Sequence, residues 1–487
     1  MIIPDYEIIS ILAKEYDMIP IKKEIHADVI TPIMILRKIS AISRNYFLLE
    51  SVEAGTQWGR YSFLGHDPVM RIYGREQRII IENEGRTEEV FTDKPYDILR
   101  RIQQRYRAPE IPGMPPFTGG FVGYFSYAML SLAEQSLKIK CGEFNDFELM
   151  LFDKVIVYDH LKQKISVVVN MLTENGTENY DKAINDIDRI IGLITDTRKL
   201  PSAKSDKNVD FKCNVSKEEY CRLVEKTKEY IREGDIFQAV ISRQFTAPYK
   251  SSLINAYRVL RTTNPSPYMV YISMDDTEIM CSSPETLIQL RKGRLTTFPV
   301  AGSRPRGSTE QEDKSLEREL LSDEKELAEH NMLVDLGRND LGKISRFSSV
   351  EVTEYIKVHK YSTIMHICSR VEGDIRPDCD GFSAIEAILP AGTLSGAPKI
   401  RACEIIDELE SEPRGIYGGA LGYFDFTGNM DTCIAIRMAV KKDNTVYVQA
   451  GGGIVADSIP EREYEESGNK ALAVMNAICK AAEVDDL

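Results

Sequence analysis

The chain has 487 residues, 43% of them hydrophobic and 28% charged, which is typical of a globular protein with a large buried core. Its 61 Lys and Arg residues against 75 Asp and Glu give a formal net charge of -14, which argues against a nucleic-acid partner because such partners require basic surface. No apolar run reaches the roughly 20 residues that span a bilayer, and the first ten residues lack the pattern of a secretory signal. The nine cysteines are scattered and include no C-x-x-C pair, which favours a reducing, cytoplasmic location over a disulfide or zinc framework.

The first part of the chain is rich in predicted strands. Residues 78–91 read as a hairpin with a turn near Glu84 and Gly85, and residues 154–170 read as a second hairpin. A helix is predicted over 180–194, and the polar stretch 195–214 reads as a linker. The sequence therefore predicts an N-terminal region, 1–200, and a C-terminal region, 213–482.

The second part contains three predicted helices. The first begins at a capping box, Ser216 to Glu219, and ends at Gly234, after which 236–245 reads as a strand. The second helix spans roughly 324–341 and the third roughly 460–482. The second is apolar almost all round, counting from Leu320, which predicts that it is buried.

Two segments resemble each other, GGFVGYF at 119–125 and GGALGYF at 418–424. They match at five of seven positions. One interpretation is a glycine-bent strand that is used twice, and the other is a duplicated half-domain. The sequence alone leaves both open.

Pairs of acidic residues lie three apart on two of these helices. Glu326 and Glu329 share a face of the second helix, and Glu463 and Glu466 share a face of the third, where Lys470 continues that face. Four carboxylates without a His or Cys cluster suit a hard cation such as Mg²⁺. Ordinary solvated helix charge is the alternative interpretation.

Other candidates are glycine-rich or polar residues in apolar surroundings. GTLSGAPK at 392–399 and GGG at 451–453, directly after a predicted strand, suit either an anion site or tight turns. His366 in a strand-like run is more often structural, whereas a buried Arg437 implies a carboxylate partner. Glu285 ends the segment CSSPE.

These segments occur together and in order, and the chain resembles the chorismate-utilising enzymes, most closely the anthranilate synthase large subunits (component I). Most of the chain is covered by the matching motifs, which are FLLES (47–51), GGFVGYF (119–125), FQAVISRQF (237–245), NPSPYM (264–269), SSPETL (282–287), PVAGSRPRG (299–307), ELAEHNMLVDLGRNDLGKI (326–344), YSTIMHICSRV (361–371), GTLSGAPK (392–399), RGIYGGALGYF (414–424), DTCIAIR (431–437) and QAGGGIVADSIPEREYEESGNKA (449–471).

The resemblance implies an α+β fold, with two large antiparallel β-sheets packed face to face and helices on the outside. It also implies a Mg²⁺-dependent lyase reaction, the first step of tryptophan biosynthesis. Ammonia adds to chorismate and a hydroxyl leaves, giving aminodeoxyisochorismate, from which loss of pyruvate yields anthranilate.

The resemblance also assigns roles to residues. Glu329 and Glu466 match metal ligands, with Glu326 and Glu463 as auxiliary acids. Glu285 is the candidate general acid for the departing hydroxyl, and His366 matches the residue tied to pyruvate elimination. The substrate pocket would comprise Gly302, Ser303, Gly392, Thr393, Tyr417, Arg437, Gly451, Gly452, Gly453 and Lys470. Thr393 is also a candidate catalytic residue. Ser303 stands where the family usually has Thr, and GGG stands for the common GAG.

Two positions separate branches of the family. Relatives that add water carry a Lys where this chain has Gln238, and relatives that make aminodeoxychorismate carry a nucleophilic Lys where it has Ala301. This pair favours direct attack by ammonia. Aminodeoxychorismate synthase component I of the folate pathway is the alternative within the enzyme class, and a catalytically silent tryptophan-binding protein is the alternative outside it.

The resemblance further implies feedback inhibition by L-tryptophan and a partner chain. Six residues match the inhibitor site: Leu49, Glu50, Ser51, Pro267, Tyr268 and Met269. No cysteine lies in G-x-C-x-G, so a glutamine amidotransferase subunit (component II) is expected to supply ammonia in a hetero-oligomer.

Overall fold

The computed structural model describes residues 2–51, 57–83, 85–134, 136–174, 177–198, 200, 204–360 and 364–484. Glu84 of the predicted turn, residues 199 and 201–203 of the predicted linker and residues 361–363 of the motif around His366 lie outside these ranges. In the described ranges the helices are α1 Tyr6–Leu12, α2 Pro32–Ser40, α3 Pro95–Gln103, α4 Leu130–Ala133, α5 Tyr180–Thr195, α6 Lys217–Glu233, α7 Ile254–Thr263, α8 Glu310–Ser322, α9 Glu324–Gly342, α10 Gly381–Ile388, α11 Lys399–Leu409 and α12 Pro460–Cys479.

The strands form two sheets in which every described pairing is antiparallel. Their bounds are β1 Ile2–Ile3, β2 Met18–His26, β3 Tyr46–Glu50, β4 Tyr61–His66, β5 Met70–Arg75, β6 Arg78–Asn83, β7 Arg86–Phe91, β8 Gly120–Phe125, β9 Phe147–Phe152, β10 Lys154–Asp159, β11 Lys164–Leu172, β12 Lys212–Cys213, β13 Gln238–Pro248, β14 Tyr268–Met274, β15 Thr277–Ser283, β16 Thr286–Arg291, β17 Arg294–Thr297, β18 Val300–Pro305, β19 Glu351–Lys360, β20 Ile364–Asp374, β21 Gly396–Ala397, β22 Ala420–Asp425, β23 Met430–Ile434, β24 Met438–Lys442 and β25 Thr445–Ile454.

The first sheet has 13 strands in the order β1-β2-β11-β10-β4-β3-β14-β15-β24-β25-β13-β12, with β21 also paired to β13. The second has 12 strands in the order β18-β20-β17-β16-β23-β22-β8-β9-β5-β6-β7, with β19 paired to β20. Strands from before and after the predicted linker meet in both sheets, at β3–β14 and at β8–β22. The predicted regions 1–200 and 213–482 are therefore not separated as two sheets.

The strand order repeats on the two sides of these junctions. In the first sheet, one half reads β2-β11-β10-β4-β3 toward the centre of the sheet. The other half, also read toward the centre, has the equivalent order β13-β25-β24-β15-β14. In the second, β7-β6-β5-β9-β8 corresponds to β20-β17-β16-β23-β22. The two similar segments lie on the junction strands β8 and β22, which supports a duplicated half-domain.

Glycine is required where these junction strands approach their neighbours. Gly123 and Gly422 are cross-strand partners. A Cβ atom on Gly123 would lie 2.0 Å from the carbonyl oxygen of Glu148, and one on Gly422 would lie 2.1 Å from that of Asp431. These two glycines occupy equivalent positions in the repeat, and at both positions close packing against a neighbouring strand leaves no room for a side chain.

Three layers of apolar side chains hold the sheets and helices together. Between the sheets, Phe47, Phe63 and Val270 of the first pack with Tyr124 and Leu421 of the second. The outer face of the first sheet is covered by α2, α5, α7 and α12, and that of the second by α3, α9 and α10. This confirms the predicted face-to-face sheets with helices outside.

Most predicted elements are confirmed, and two expectations are wrong. Helix α9 is not buried all round: Leu320 belongs to the preceding helix α8, and α9 buries one stripe that includes His330, Leu333 and Leu341. The predicted linker is not entirely without regular structure either, because it contains β12, which pairs with β13. Among the described residues, no helix is long and apolar enough to cross a membrane.

Candidate active site

The predicted acidic residues lie on α9 and α12, and charges of both helices act on Glu329. Burial raises the pKa of the Glu329 carboxyl, and the negative charges of Glu326 and Glu466 raise it further, while Lys470 opposes them. These influences require the carboxylates of the two helices to lie near each other. The arrangement of Glu329 and Glu466 around one metal ion stays a prediction.

The carboxylate of Glu466 is exposed and paired with a lysine. Lys470 Nζ lies 2.8 Å from Glu466 Oε1 and donates to the carbonyl oxygen of Gly451 at 3.2 Å. Burial raises the pKa of Glu463, and the neighbouring Glu466 contributes to that rise. Like charges held this close favour a cation between them.

The donor set fits a magnesium ion that keeps several waters. In the described ranges, no group of three or more His, Cys, Asp or Glu side chains is arranged to enclose a metal. Mg²⁺ commonly uses one or two protein carboxylates and takes the remaining oxygens from water and substrate. Glu329 and Glu466 supply hard oxygen ligands of that kind.

The three consecutive glycines lie inside β25, not after it, so the expected tight turn is wrong. Gly451, Gly452 and Gly453 pair with Ser242, Ile241 and Val240 of β13. A Cβ atom on Gly452 would lie 3.0 Å from Glu463 Oε2, and one on Gly453 would lie 2.3 Å from Gln238 Nε2. The glycines therefore leave room for the acidic helix and for Gln238 against the strand.

Arg437 is partly buried and has an unusual backbone conformation. Its φ of 51° is left-handed, which is uncommon for a residue other than glycine. The expected carboxylate partner is wrong: Nη1 donates to the carbonyl oxygen of Lys470 at 2.9 Å, and no carboxylate of the described residues forms a salt bridge with it. Burial lowers the pKa of this guanidinium. An anionic ligand would compensate the charge.

Glu285 carries a proton at neutral pH. Burial raises the pKa of its carboxyl to about 8, although Thr393 Oγ1 donates to Oε1 at 3.2 Å and so opposes the rise. Both residues line a cavity of about 50 Å³ between α9 and the loop after α10. Gly392 lines the same cavity, as predicted for the loop 392–399.

His366, which the resemblance ties to pyruvate elimination, lies on β20 beside β18. Its Nδ1 lies 3.0 Å from the carbonyl oxygen of Gly302, which can only accept, so Nδ1 carries the proton of the neutral ring. Burial lowers the pKa of His366, which favours the neutral ring with Nε2 unprotonated. Gly302 occupies a bulge of β18 at φ 66°, with Ser303 exposed next to it.

Tyr417 is buried, and the charge of Arg437 acts on its phenol. Burial raises the pKa of its phenol to about 12, against the opposing positive charges of Arg414 and Arg437. The phenol is therefore neutral and available for hydrogen bonding.

A buried ion pair behind the site was missed in the sequence. Arg414 pairs with Glu410 at 2.7 Å and donates to the carbonyl oxygens of Leu394 and Val240, each at 2.6 Å. Glu410 accepts from both the amide and the hydroxyl of Ser242. This pair fixes the loop that carries Thr393 against β13. The four-residue Glu–Arg spacing was its only signal.

The residues predicted to bind an inhibitor are brought together on adjacent strands. Glu50 and Leu49 on β3 are the cross-strand partners of Met269 and Val270 on β14. Glu50 is buried and accepts from Tyr257 at 2.9 Å and from Arg261. The hydroxyl oxygen of Ser51 is buried, with no hydrogen-bond partner among the described residues. Pro267 and Tyr268 enter β14 from the loop before it.

Comparisons with known proteins agree with this geometry. Residues 45–476 match the family model described as chorismate binding enzyme. The chain is 45% identical to anthranilate synthase component 1 of Acetivibrio thermocellus, over 99% of this chain and 100% of that protein. It is 43% identical to anthranilate synthase component 1 of Aquifex aeolicus, over 96% of each.

Solved structures show the same fold. Anthranilate synthase component I from Streptococcus pneumoniae superposes with a TM-score of 0.75 at 35% identity, covering 92% of this chain and 98% of that one. The menaquinone-specific isochorismate synthase from Escherichia coli superposes with a TM-score of 0.69 at 18% identity, covering 97% and 98%, which supports the fold alone.

Proposed function

The chain belongs to the chorismate binding enzyme family, and from this membership we propose how its residues perform the reaction of an anthranilate synthase large subunit. In that reaction chorismate and ammonia give aminodeoxyisochorismate and water, and the intermediate then loses pyruvate to leave anthranilate. The observation that carries the assignment is Arg437, a partly buried cation that forms no salt bridge with a carboxylate among the described residues. The burial that raises the pKa of Glu285 to about 8 supports it.

We propose that Arg437 and Lys470 bind the carboxylates of chorismate. Arg437 offers a guanidinium that forms no salt bridge with the described residues, although the charge of Glu466 acts on it. Lys470 is held between Glu466 and β25. The phenol of Tyr417 and the backbone of Gly451–Gly453 complete this side of the site. A doubly anionic substrate supplies the compensating charge.

We propose that Glu329 and Glu466 hold Mg²⁺, with Glu326 and Glu463 supporting them. When bound, the ion supplies positive charge that orients a substrate carboxylate. The raised pKa of Glu329, caused by burial and neighbouring carboxylates, supports the assignment because a cation would relieve both effects.

The two chemical steps use different residues. Glu285 protonates the departing hydroxyl, which leaves as water while ammonia attacks the ring, and the resulting Glu285 carboxylate takes back the proton that the added ammonium group loses. His366 Nε2 then accepts the ring proton as the C–O bond to the enolpyruvyl group breaks, and the released enolpyruvate takes up a proton to become pyruvate. The Gly302 carbonyl fixes the tautomer of the imidazole. Gln238 and Ala301 stand at the two positions where other branches of the family carry a lysine that activates water or forms a covalent adduct.

We also propose the regulation and the partner implied by the resemblance. L-Tryptophan would bind where β3 meets β14. The buried hydroxyl of Ser51, which has no hydrogen-bond partner among the described residues, supports a ligand there. A glutamine amidotransferase subunit would supply ammonia. Component 1, the name of the relatives, denotes one part of a larger enzyme.

The test uses the purified chain with chorismate, Mg²⁺ and an ammonium salt at alkaline pH, and follows anthranilate fluorescence. Anthranilate is expected, and glutamine without an added amidotransferase should not replace ammonium. Accumulation of aminodeoxychorismate instead would favour the folate-pathway enzyme. Tight tryptophan binding without any turnover would favour a silent binding protein.

A further inference from the structure

One short corner of the chain lies between the two proposed sites. Residues 282–286 comprise the end of β15, the two connecting residues 284–285 and the start of β16, and they include Glu285, the proposed acid. On the other side of β15 lies β14, which begins in the proposed inhibitor segment and pairs Met269 with Ser282. Contacts at both ends of this corner reach residues 264–268.

Ser282 is fully buried at the first end of the corner. Its hydroxyl donates to the carbonyl oxygen of Asn264 at 2.5 Å and accepts from the side-chain amide of Asn264 at 3.0 Å. Ser266 Oγ lies 2.9 Å away. One buried hydroxyl thus fixes the loop that leads directly into Pro267.

The backbone of the same residue contacts the substrate side. The amide of Ser282 donates to the carbonyl oxygen of Arg437 at 3.0 Å, and the thiol of Cys281 lies 3.1 Å from the carbonyl oxygen of Ile436. These bonds hold Arg437 at its left-handed φ of 51°. Such a backbone persists only where its surroundings determine it. Ser282 is therefore a positioning residue for the guanidinium.

The second end of the corner is held by Tyr268. Its phenol lies 3.0 Å from Thr286 Oγ1 and donates to Asp431 at 2.8 Å. Thr286 directly follows Glu285 in the chain and lines the same cavity. The inhibitor segment therefore contacts the residues on both sides of the proposed acid.

We propose that the corner 282–286, held by Ser282 and Thr286, couples tryptophan binding to the orientation of Arg437 and Glu285. This inference rests on the proposed function, because it assumes that tryptophan binds beside residues 264–269. A ligand that shifts this segment shifts both ends of the corner, so chorismate and tryptophan favour different positions of one element. Each ligand must then weaken the binding of the other by the same factor.

The test measures the Kd of L-tryptophan by calorimetry with and without saturating chorismate, in Mg²⁺ buffer that lacks ammonium and glutamine. In the unmodified chain, chorismate should raise the tryptophan Kd about fivefold or more. In Ser282→Ala the increase should fall below about twofold, while tryptophan still binds. Thr286→Val, which keeps the side-chain shape, should also make the chorismate-induced increase in the tryptophan Kd smaller.

Ser273→Ala is the matched control. Ser273 is also buried, lies on β14 and donates to the carbonyl oxygen of Arg44 at 2.7 Å, but it does not touch the corner. This variant should keep the full effect of chorismate.

Two outcomes overturn the inference and are distinguishable. If Ser282→Ala and Thr286→Val keep the full effect, the corner does not couple the sites and the proposed function stands. If the unmodified chain does not bind tryptophan, or chorismate does not change its Kd, the proposed regulation fails and the coupling fails with it.

Discussion

Replacing Thr393 by valine removes the hydroxyl that donates to Glu285 at 3.2 Å while keeping the volume of the side chain. That bond favours the ionised carboxylate and so lowers its pKa, which burial otherwise raises to about 8. A hydrogen bond to a charged group contributes about 1.5 kcal/mol at the lower end of its range, which is about one pKa unit. The pKa of Glu285 should therefore rise to about 9 in Thr393→Val.

The protonated carboxyl is the active form, so kcat/KM for chorismate should fall as pH rises through the pKa of Glu285. At pH 9 the unmodified enzyme would keep about a tenth of the acid form and the variant about half. The ratio of kcat/KM at pH 9 to that at pH 7 should then be about fivefold higher in Thr393→Val. This ratio is independent of any general loss of activity.

The assay follows anthranilate fluorescence at a fixed concentration of free ammonia, because the un-ionised fraction of an ammonium salt changes with pH. Thr393→Ser retains the hydroxyl and should keep the alkaline limb near its original position. An alkaline limb that stays in place or moves to lower pH in Thr393→Val would refute the assignment of Glu285 as the acid.

Two further substitutions test the regulatory site and the repeated strands. Ser51→Phe puts a large ring where a buried hydroxyl has no partner among the described residues, so the inhibition constant for tryptophan should rise at least about tenfold while turnover continues. Unchanged inhibition would place the effector elsewhere. Gly120→Ala places a Cβ 2.1 Å from the carbonyl oxygen of Phe424 at φ 138°, and it should lower the free energy of unfolding by about 3 kcal/mol in urea titrations. Gly192→Ala, on open helix surface, should be neutral or stabilising, and equal effects of the two changes would contradict the packing argument.

Local patterns in the sequence identified the elements well. Alternating β-branched residues marked the hairpins, and the helix that starts at Ser216 ends at Gly234 in the left-handed conformation, as predicted. The burial of α9 was misjudged because two adjacent leucines belong to α8, and a helix break at Asp323 is hard to see in a continuous apolar pattern.

Long-range pairing was beyond local patterns. The similarity of segments 119–125 and 418–424 hinted at a duplication, but only the strand order shows that the two halves repeat. The three glycines were predicted to form either an anion site or a tight turn after the strand, whereas the strand itself contains them so that Gln238 and Glu463 fit beside it. The buried pair of Glu410 and Arg414 depends on tertiary contacts that no spacing predicts uniquely.

The central claim is that carboxylates from α9 and α12 hold one divalent ion. It is tested most directly by titrating Mn²⁺, detected by electron paramagnetic resonance, into the unmodified chain, Glu329→Gln, Glu466→Gln and the double variant. If both residues bind one ion, each single change should weaken Mn²⁺ binding at least about tenfold, and the double variant should be little worse than either single variant, because contributions at a shared site are not additive. Independent, additive losses, or unchanged Mn²⁺ binding in either single variant, would contradict the account.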